Sequence, residues 1–449
     1  MQFLNREAEI GRLDALVQRG GGLAVVVGRR RIGKTRLLVE WSQKHAGAYT
    51  VADQSAAEVQ RRYFAEAFAP VFPGFADVTY PDWRSLLTRL SREARATGWR
   101  GPVIFDELPY LVVASPDLPA VLQRWVDHDA GQLVVVVAGS SQRMMHGLAL
   151  AADAPLYGRA QEILHLQPLD ASWLETAFPS LGTRERVETW AAWGGVPRYW
   201  ELARDVPGTV EDRVDHLVLD PLGPLHREPD RLIAEELPPA AEVRGLLDAI
   251  GNGAHRVSEI AGRLGRPATS LARPLQRLQD MGLVVREVPF GDDERRSKRS
   301  LYRIADPFTR LWFRLVAPHR AQLAVGTPEA RRALFRQRWP ALLGEAWEAL
   351  VRDRVSRLGP WGPAARWWQG NAPEWDVVAR SVDGRRVLLG EAKLRTGDGG
   401  DVRTRPPPPG LGDAELVRAR FTIDGRSDDR ETGVLCFDAT DLVLDRSEG

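Results

Sequence analysis

Short runs of uninterrupted apolar residues mark the first half of the chain. Residues 23–27 read LAVVV, residues 102–105 read PVIF and residues 133–139 read LVVVVAG. Runs of this length without polar alternation are typical of strands buried on both faces of a parallel sheet. The segment 34–41, which follows the first run, is amphipathic with helical spacing. We therefore expect an α/β core with a parallel sheet in this half.

The middle of the chain has a helical pattern. Between about 170 and 240 it is rich in Trp, Leu and Arg without catalytic spacing, and we interpret it as a helical lid over the core. Residues 243–304 then predict three short helices, a strand at 283–290, a charged loop at 291–300 and a strand at 301–306. This order is typical of a winged helix-turn-helix.

The last part of the chain returns to an αβ pattern. An amphipathic helix is predicted at 341–358, followed by a strand that presents Asp376 and a strand over 386–394. On the second of these strands, Glu391 and Lys393 are two residues apart and therefore share a face.

Length and composition exclude several classes of protein. A chain of 449 residues exceeds what one hydrophobic core usually organises, so about three or four domains are expected. One cysteine, Cys436, excludes an internal disulfide and a cysteine-based zinc site. No apolar run approaches the ~18 to 20 residues of a membrane span, and the first residues do not resemble a signal peptide. We expect a cytoplasmic protein without a membrane partner.

Charge is distributed unevenly along the chain. The net charge is +1, yet residues 251–320 contain 14 Arg or Lys against 7 Asp or Glu, so this segment carries +7 and the remainder −6. A basic face of this kind contacts the phosphates of DNA or is simply solvated. The predicted recognition helix, 269–281, and the charged loop that follows it supply the candidate DNA-binding side chains: Arg273, Arg277, Arg295, Arg296, Lys298 and Arg299.

Residues 28–35, GRRRIGKT, follow the first apolar run and precede the predicted helix. They match the G-x-x-x-x-G-K-T pattern of a P-loop in the strand, loop and helix context that the motif requires. In such a loop the backbone N–H groups and the helix N-terminus cradle phosphate, Lys34 reaches the β and γ phosphates, and Thr35 offers its hydroxyl to magnesium. ATP and Mg²⁺ are therefore the expected cofactors, with a chance match in a glycine-containing turn as the alternative.

Polar residues end the two other apolar runs. Asp106 and Glu107 follow the run at 102–105, where Asp106 would hold magnesium and Glu107 would polarise the attacking water. Ser140 and Ser141 follow the run at 133–139, where a polar residue could sense the γ-phosphate and where one of the two could instead cap a helix.

Six segments resemble, in order, the archaeal-type ATPase family within the STAND and AAA+ branch of P-loop NTPases. They are FLNREAEI at 3–10, GRRRIGKT at 28–35, VIFDELPYL from 103, VAGSS from 137, PLYGRA at 155–160 and GGVPRYW at 194–200. The resemblance implies that Arg159 is a γ-phosphate or intersubunit arginine and that Gly195 and Pro197 line the nucleotide base. It also implies that Asn5 and Arg6 lie near the adenine. The residues expected at the nucleotide are thus Asn5, Arg6, Gly28, Arg29, Arg30, Arg31, Ile32, Gly33, Lys34, Thr35, Arg36, Asp106, Ser140, Arg159 and Pro197.

Lysine is rare against this background, since the 61 Lys and Arg residues include only Lys34, Lys44, Lys298 and Lys393. A compact ammonium suits a crowded phosphate site better than a guanidinium does. The order of helix acid, strand Asp376 and Glu391-x-Lys393 fits metal-dependent phosphodiester cleavage, with Asp376 and Glu391 as metal ligands and Lys393 orienting or deprotonating water or stabilising charge.

This order resembles the PD-(D/E)xK nuclease superfamily and the nuclease-like domain that ends many archaeal-type ATPases. Glu348 matches the helix acid of that superfamily, with Glu345 as the alternative. The sequence departs from the pattern at Trp375, which stands where the name has proline, and at the break RPPPPG at 405–410. A degenerate nuclease fold kept as a DNA-binding or docking module is the alternative.

The expected fold class is therefore multidomain α/β: a P-loop NTPase core with a helical lid, a winged helix-turn-helix and a C-terminal α/β restriction-endonuclease-like domain. The expected boundaries are 1–170, 171–240, 241–320 and 321–449. We expect an ATP-hydrolysing, DNA-associated protein whose nucleotide state positions the winged helix and a metal-dependent nuclease-like domain. The alternative is a STAND-like switch in which ATP drives homo-oligomerisation and the C-terminal domain binds DNA without cleaving it.

Overall fold

The computed structural model describes residues 4–152, 154–236, 240–370, 372–425 and 433–444. The chain divides into two compact units, of which the first ends at Pro168 and the second begins at Leu169. This division falls two residues before the boundary expected at 170, and the three later expected segments lie together in the second unit.

The first unit alternates helices and strands along the chain. In order, its elements are α1 (Glu7–Arg19), β1 (Gly22–Val27), α2 (Lys34–Lys44), β2 (Ala48–Val51), α3 (Ala57–Phe68), α4 (Trp83–Thr97), β3 (Val103–Asp106), α5 (Leu108–Ala114), α6 (Leu118–His128), β4 (Val134–Gly139), α7 (Gln142–Met145) and β5 (Ala160–His165).

The five strands of this unit form a parallel sheet in the order β2-β3-β4-β1-β5. The three apolar runs are its central strands β1, β3 and β4, as expected for a doubly covered sheet. Val25 and Val27 pack into a core on one face, whereas Ala24 and Val26 pack into a second core on the other. Because side chains alternate along a strand, β1 serves both cores at once. The sheet therefore brings the carboxyl ends of β1, β3 and β4 to one edge.

The second unit begins with helices. Its elements are α8 (Leu174–Ala177), α9 (Thr183–Trp193), α10 (Pro197–Arg204), α11 (Val210–Val214), α12 (Glu228–Glu236), α13 (Ala240–Gly251), α14 (Val257–Leu264), α15 (Ala272–Asp280), β6 (Val284–Glu287), β7 (Leu301–Ile304), α16 (Pro307–Leu315), α17 (Arg320–Val325), α18 (Pro328–Arg354), β8 (Ala365–Trp367), β9 (Trp375–Arg380), β10 (Arg386–Arg395), β11 (Glu415–Asp424), β12 (Val434–Asp438) and α19 (Ala439–Val443).

Helices α13, α14 and α15 and the antiparallel pair β6–β7 follow one another in the order expected from the sequence. Helix α15 is shorter than the recognition helix expected over 269–281, because residues Ala268–Leu271 form a 3-10 turn before it. Pro274 consequently lies in its first turn, where a missing N–H group is tolerated. The assignment of these elements to a winged helix stays a prediction.

The C-terminal strands form a second sheet in the order β12-β11-β10-β9-β8. Strands β10, β11 and β12 run parallel, and β9 is antiparallel to β10 and β8. Helix α18 contacts β10. The segment 396–411 covers Val387 and Leu389 of β10 through its own Val402 and Leu411. Between β10 and β11, residues 396–414 contain neither a helix nor a strand.

Within the described ranges of the chain, no helix is long and apolar enough to cross a lipid bilayer.

A buried ion-pair cluster ties α18 to the preceding elements of the second unit. Glu345 lies 2.6 Å from Arg314, 3.7 Å from Arg303 and 3.9 Å from Arg310. Burial alone would raise the pKa of Glu345, but Arg314, Arg310 and Arg303 hold that pKa below its ordinary value. Removing this carboxylate would leave three guanidinium groups close together, one of which, Arg310, is buried.

The substitution Glu345→Ala is expected to lower the free energy of unfolding of the second unit by about 3 kcal/mol, because breaking a buried pair leaves uncompensated charge. Urea denaturation at neutral pH measures this change. The exposed Glu329→Ala in the same helix is the control and is expected to lower stability by about 0.5 kcal/mol or less. Since its pKa is lower in the folded state, Glu345 stabilises the fold above its unfolded pKa and loses this contribution as pH falls through its folded pKa. Equal stability of the two variants at neutral pH would contradict the assignment.

Candidate functional sites

The loop over residues 28–35 lies between the carboxyl end of β1 and the start of α2. Gly33 is the residue before α2 and has φ 97°, and Arg31 has φ 66°, so both adopt left-handed backbone. A Cβ atom on Gly28 would lie 3.0 Å from the carbonyl oxygen of Leu166. A side chain at Gly28 would therefore crowd the loop, and glycine at Gly33 adopts its backbone conformation without strain.

The Lys34 side chain is buried inside this loop. Its ammonium donates hydrogen bonds to the carbonyl oxygens of Gly28 at 2.6 Å and Arg29 at 3.2 Å. Only 5% of Lys34 is exposed. The charge is thus held in the concavity of the loop, where a bound phosphate group would meet it.

Asp106 ends β3 as a fully buried carboxylate. Its Oδ2 atom accepts hydrogen bonds from the Thr35 hydroxyl at 2.8 Å and the Tyr49 hydroxyl at 2.7 Å. Burial, and then the charge of Asp106, raises the pKa of Tyr49, so this phenol stays a donor. The two expected metal ligands, Thr35 and Asp106, are therefore in direct contact.

Tyr49 was not expected at this site. It lies on β2, the edge strand beside β3, and a tyrosine in the short stretch AYTV carries no motif that could have indicated this contact.

Glu107 follows Asp106 in a strained conformation, with φ 53°. Its Oε2 atom accepts hydrogen bonds from the Ser140 hydroxyl at 3.0 Å and from the Ser140 backbone N–H at 3.3 Å. The hydroxyl of the next residue, Ser141, accepts from Met144 N–H at 3.4 Å at the start of α7. Ser141 therefore has the capping role, whereas Ser140 holds the carboxylate of Glu107. Strained backbone of this kind often marks functional positions.

The other loop residues surround the phosphate position in different ways. Ile32 is fully buried and belongs to the hydrophobic core, so it offers only its backbone to a phosphate. Arg30 donates to the Tyr110 hydroxyl at 2.8 Å. Arg29, Arg31 and Arg36 are half-exposed around the loop.

Arg6 has a structural role that the sequence did not reveal. Its guanidinium is buried and donates to the carbonyl oxygens of Ile32 at 3.1 Å and Gln167 at 2.9 Å. The residue before it, Asn5, has φ 44°. Arg6 therefore fastens the N-terminal segment to the phosphate loop, and the expected proximity of both residues to an adenine stays a prediction.

Arg159 lies near the amino ends of the strands, whereas the loop lies at their carboxyl ends. Because β5 is parallel to β1 and pairs Ala160 with Leu23, Arg159 precedes the amino end of the sheet, whereas the loop begins at the carboxyl end. Five strand residues at about 3.3 Å each put roughly 16 Å between the two ends of the strands. Its guanidinium pairs with Asp127 at 2.8 Å. The structure thus contradicts contact with a phosphate in the same chain, and the intersubunit role stays a prediction.

Pro197 is the first residue of α10 in the second unit. Two residues earlier, the carbonyl oxygen of Gly195 accepts a hydrogen bond from the Leu169 N–H at 2.7 Å. A Cβ atom on Gly195 would collide with the Leu169 backbone. Their expected role at the nucleotide base stays a prediction.

In the second unit, β9 and β10 bring the expected nuclease residues together. The pairing of Gly390 with Val377 places Asp376 opposite Glu391 on adjacent strands. The Lys393 ammonium lies 3.4 Å from Asp376 Oδ2 and 3.2 Å from Glu391 Oε1. Asp376 also accepts a hydrogen bond from the Ala392 backbone N–H at 3.0 Å. Lys393 therefore lies between the two carboxylates.

Burial and the neighbouring charges shift the pKa values of Lys393 and Glu348. Burial works to lower the pKa of Lys393, but Asp376 and Glu391 hold it above its ordinary value, so the ammonium stays charged. Burial, and then the charge of Asp376, raises the pKa of Glu348 on α18. Arg352 lies 3.8 Å from Glu348 and donates to the carbonyl oxygen of Asp376 at 3.0 Å, which places Glu348 on the side of Asp376. Glu345 is instead engaged with three arginines.

A guanidinium also occupies this cluster. Arg405 Nη2 lies 2.6 Å from Glu391 Oε1, and Gly399 packs so closely that a Cβ atom there would lie 2.8 Å from Glu391 Oε2. The sequence RPPPPG at 405–410 predicts only a break in regular structure and gives no signal for this contact. Among the residues that the structure describes, no three His, Cys, Asp or Glu side chains converge closely enough to hold a metal ion.

The expected DNA-binding side chains differ in their freedom. Arg273, Arg295, Arg296 and Lys298 are exposed. Arg277 is only half-exposed, and Arg299 is exposed but pairs with Asp292 and donates to the carbonyl oxygen of Trp368 at 3.3 Å. The first four therefore form the accessible part of the set.

Comparison with known proteins identifies two segments of the chain. Residues 3–202 match the model of a family described as an ATPase domain predominantly from Archaea. Residues 312–404 match a family described as "Archaea bacterial proteins of unknown function". An uncharacterized protein of Methanocaldococcus jannaschii is 25% identical over 415 residues, which is 89% of this chain and 89% of the relative.

A solved structure shares the fold. The Walker-type ATPase of Pyrococcus abyssi is 20% identical with a TM-score of 0.55, over 70% of this chain and 96% of that chain. The ORC2 protein of Aeropyrum pernix, solved in ADPNP and ADP complexes, is 15% identical with a TM-score of 0.41, over 75% of this chain and 97% of that chain. The chain thus carries an archaeal-type P-loop ATPase domain over residues 3–202, followed at 312–404 by a segment whose family has no established function.

Proposed function

We propose that this protein hydrolyses ATP at the loop 28–35 and uses its nucleotide state to position a DNA-contacting winged helix and a metal-dependent nuclease-like domain. The observation that carries the ATPase part is the contact between Thr35 and Asp106 beside the buried ammonium of Lys34. A hydroxyl and a carboxylate 2.8 Å apart supply the hard oxygen ligands that Mg²⁺ prefers. Magnesium bound there would neutralise charge on the phosphate groups.

Each residue of this site has a separate task. The backbone N–H groups of the loop and the amino end of α2 cradle the phosphates, and Lys34 balances their charge. Glu107 orients and polarises the attacking water. Ser140 fixes the Glu107 carboxylate through two hydrogen bonds, so that this group is positioned before water is engaged.

DNA contact is supported by the charge and exposure of the predicted winged helix. The segment 251–320 carries a net +7, and four of its candidate side chains are exposed. Exposed cations of this kind contact phosphates regardless of sequence, so they supply affinity that falls with salt.

The nuclease part is supported by the convergence of Asp376, Glu391 and Lys393 on two adjacent strands, with Glu348 linked to the Asp376 backbone through Arg352. Two carboxylates on neighbouring strands suit a divalent cation, which would activate water and stabilise the charge of the phosphorane. Lys393, 3.4 Å from Asp376 and 3.2 Å from Glu391, would orient or deprotonate the water or stabilise the developing charge.

A regulatory switch that does not cleave DNA is the second candidate. It is favoured by the contacts of Glu391, which pairs with both Lys393 and Arg405 and so has its charge balanced without a metal. In this function ATP would drive homo-oligomerisation, with Arg159 reaching the nucleotide of a neighbouring copy.

Lys34→Ala is expected to weaken ATP binding at least about 100-fold, because it removes the charge that faces the phosphates. Glu107→Gln is expected to retain ATP binding and lower turnover about 100-fold or more, since only the water-polarising group is lost. Fluorescent-nucleotide titration and phosphate release measure the two effects. The exposed Lys44→Ala, in the same helix as Lys34, is the control and should behave as wild type. Full turnover by the Lys34 variant would refute the site.

The double substitution Arg296→Ala, Lys298→Ala is expected to weaken DNA binding uniformly across sequences and to reduce the slope of log K against log salt by about 2. Fluorescence anisotropy at several salt concentrations measures the slope. Arg84→Ala with Arg92→Ala, exposed on α4, removes the same charge elsewhere and should leave the slope unchanged. If both double variants bind DNA alike, the loop does not contact it.

Mg²⁺- or Mn²⁺-dependent nicking of DNA is expected for the wild type and is expected to fall at least about 100-fold in Asp376→Asn and in Lys393→Ala, because each removes a group that handles transition-state charge. Gel assays of supercoiled DNA with and without ATP measure it. The exposed Asp413→Asn serves as the control. Absence of product under every condition, together with ATP-dependent changes in oligomeric state on sizing columns, would favour the switch instead.

A further inference from the structure

Segment 396–411 packs over the acidic cluster and inserts a cation into it. Arg405 Nη2 lies 2.6 Å from Glu391 Oε1, and Arg405 Nη1 donates to the carbonyl oxygen of Glu374 at 2.7 Å. The guanidinium also lies over the ring of Trp375, 5.0 Å from its centroid. Glu391 is only 2% exposed as a result of this packing and of the sheet beneath it.

The second carboxylate oxygen of Glu391, Oε2, indicates that a ligand binds at this position. Its Oε2 atom is buried and has no hydrogen-bond partner among the described residues. A buried carboxylate oxygen without a donor is unfavourable and normally marks a group that another partner completes. The backbone of Gly399 lies against this oxygen, with φ 90°, so the segment that supplies Arg405 also closes the approach to Oε2.

The segment is held in place by contacts on both sides of Arg405. Arg418 donates to the carbonyl oxygens of Val402 at 2.6 Å and Arg405 at 3.1 Å. Trp375 Nε1 donates to the carbonyl oxygen of Pro406 at 2.9 Å. The side chains of Val402 and Leu411 are buried in the core beside β10. The Arg405 side chain is therefore presented to Glu391 by an anchored backbone, and its release needs only a local movement between these anchors.

Charge decides what can bind at Glu391. Lys393 already lies 3.2 Å from Glu391 Oε1, and Arg405 approaches the same oxygen. A divalent cation at this carboxylate would place four positive charges within a few ångströms of one another in a buried site, where repulsion is strong. Lys393 also pairs with Asp376 and belongs to the strand, whereas Arg405 belongs to the covering segment. Arg405 is thus the cation that can leave.

We propose that Arg405 is a latch: its guanidinium and a divalent cation bind Glu391 in alternation, and segment 396–411 keeps the acidic site closed until Arg405 withdraws. This inference rests on the proposed metal role of Asp376 and Glu391. Arg405 would then regulate the site, and the two carboxylates on adjacent strands would stay charge-balanced while the site is closed.

Mn²⁺ binding to the full-length protein, followed by electron paramagnetic resonance, tests the latch. Arg405→Gln is expected to tighten Mn²⁺ binding about tenfold or more, because the apparent affinity rises as the closed fraction falls. Arg403→Gln is the matched control, since Arg403 is exposed, pairs with Asp401 at 2.8 Å in the same segment and is expected to bind Mn²⁺ as wild type. Glu391→Gln identifies the signal from this site, because it should abolish the gain when combined with Arg405→Gln. Equal affinity of the Arg405 and Arg403 variants would overturn the proposal.

A measurement on the wild type needs no substitution at Arg405. Saturating Mn²⁺ is expected to increase hydrogen exchange of the backbone amides at 400–405, and Glu391→Gln is expected to abolish the increase. Unchanged or slower exchange in the wild type at saturating Mn²⁺ would overturn the latch. If Arg405→Gln tightens Mn²⁺ binding while no variant cuts DNA, the latch stands and the nuclease function fails. If cutting depends on Asp376 while Arg405→Gln leaves Mn²⁺ affinity unchanged, the nuclease function stands and the latch fails.

Discussion

A carboxylate buried at a sheet must be surrounded by donors or cations, and both candidate sites of this protein are built on that requirement. Asp106 is fully buried and Glu391 is 2% exposed, so neither can rely on water. Asp106 accepts hydrogen bonds from the hydroxyls of Thr35 and Tyr49, which satisfy the oxygen without adding a positive charge. Glu391 instead pairs with Lys393 and Arg405, which cancel its charge.

This difference has a chemical consequence for metal binding. Hydroxyl donors leave the negative charge of a carboxylate available to a divalent cation, and the Thr35 hydroxyl can turn its lone pairs to the same ion. Paired cations must first be displaced. Under the proposed function, the nucleotide site would accept Mg²⁺ directly, whereas the acidic cluster of the second unit would first have to release a cation. We infer that a strand carboxylate would then serve two sites with opposite default states.

The sequence predicted those parts of both sites that local pattern determines. The three apolar runs became β1, β3 and β4, and the P-loop and Asp106 followed from their spacing. Tyr49 could not be predicted, because its contact depends on which strand lies beside β3. Glu345 and Glu348 could not be distinguished, because both fall on one helix and only tertiary contacts separate the acid that meets Arg314 from the acid that lies on the side of Asp376. The contact of Arg405 with Glu391 could not be predicted, because a proline-rich stretch predicts an irregular segment but not where that segment packs.

The sheet and the covering segment have different capacities for change. Glu391 pairs with Arg420 across β10 and β11, and the ladder between β9 and β10 ends at Val377 and Gly390, the residues next to Asp376 and Glu391. A shift of one residue along β9 or β10 would turn Asp376 or Glu391 to the other face, so the cluster cannot be adjusted by sliding strands. Residues 396–414 contain neither helix nor strand, and Pro406 begins a run of four prolines whose missing N–H groups leave fewer hydrogen bonds to break. We therefore assign control of the acidic cluster to Arg405, because its side chain can withdraw between the anchors of the segment while the carboxylates on the sheet keep their positions.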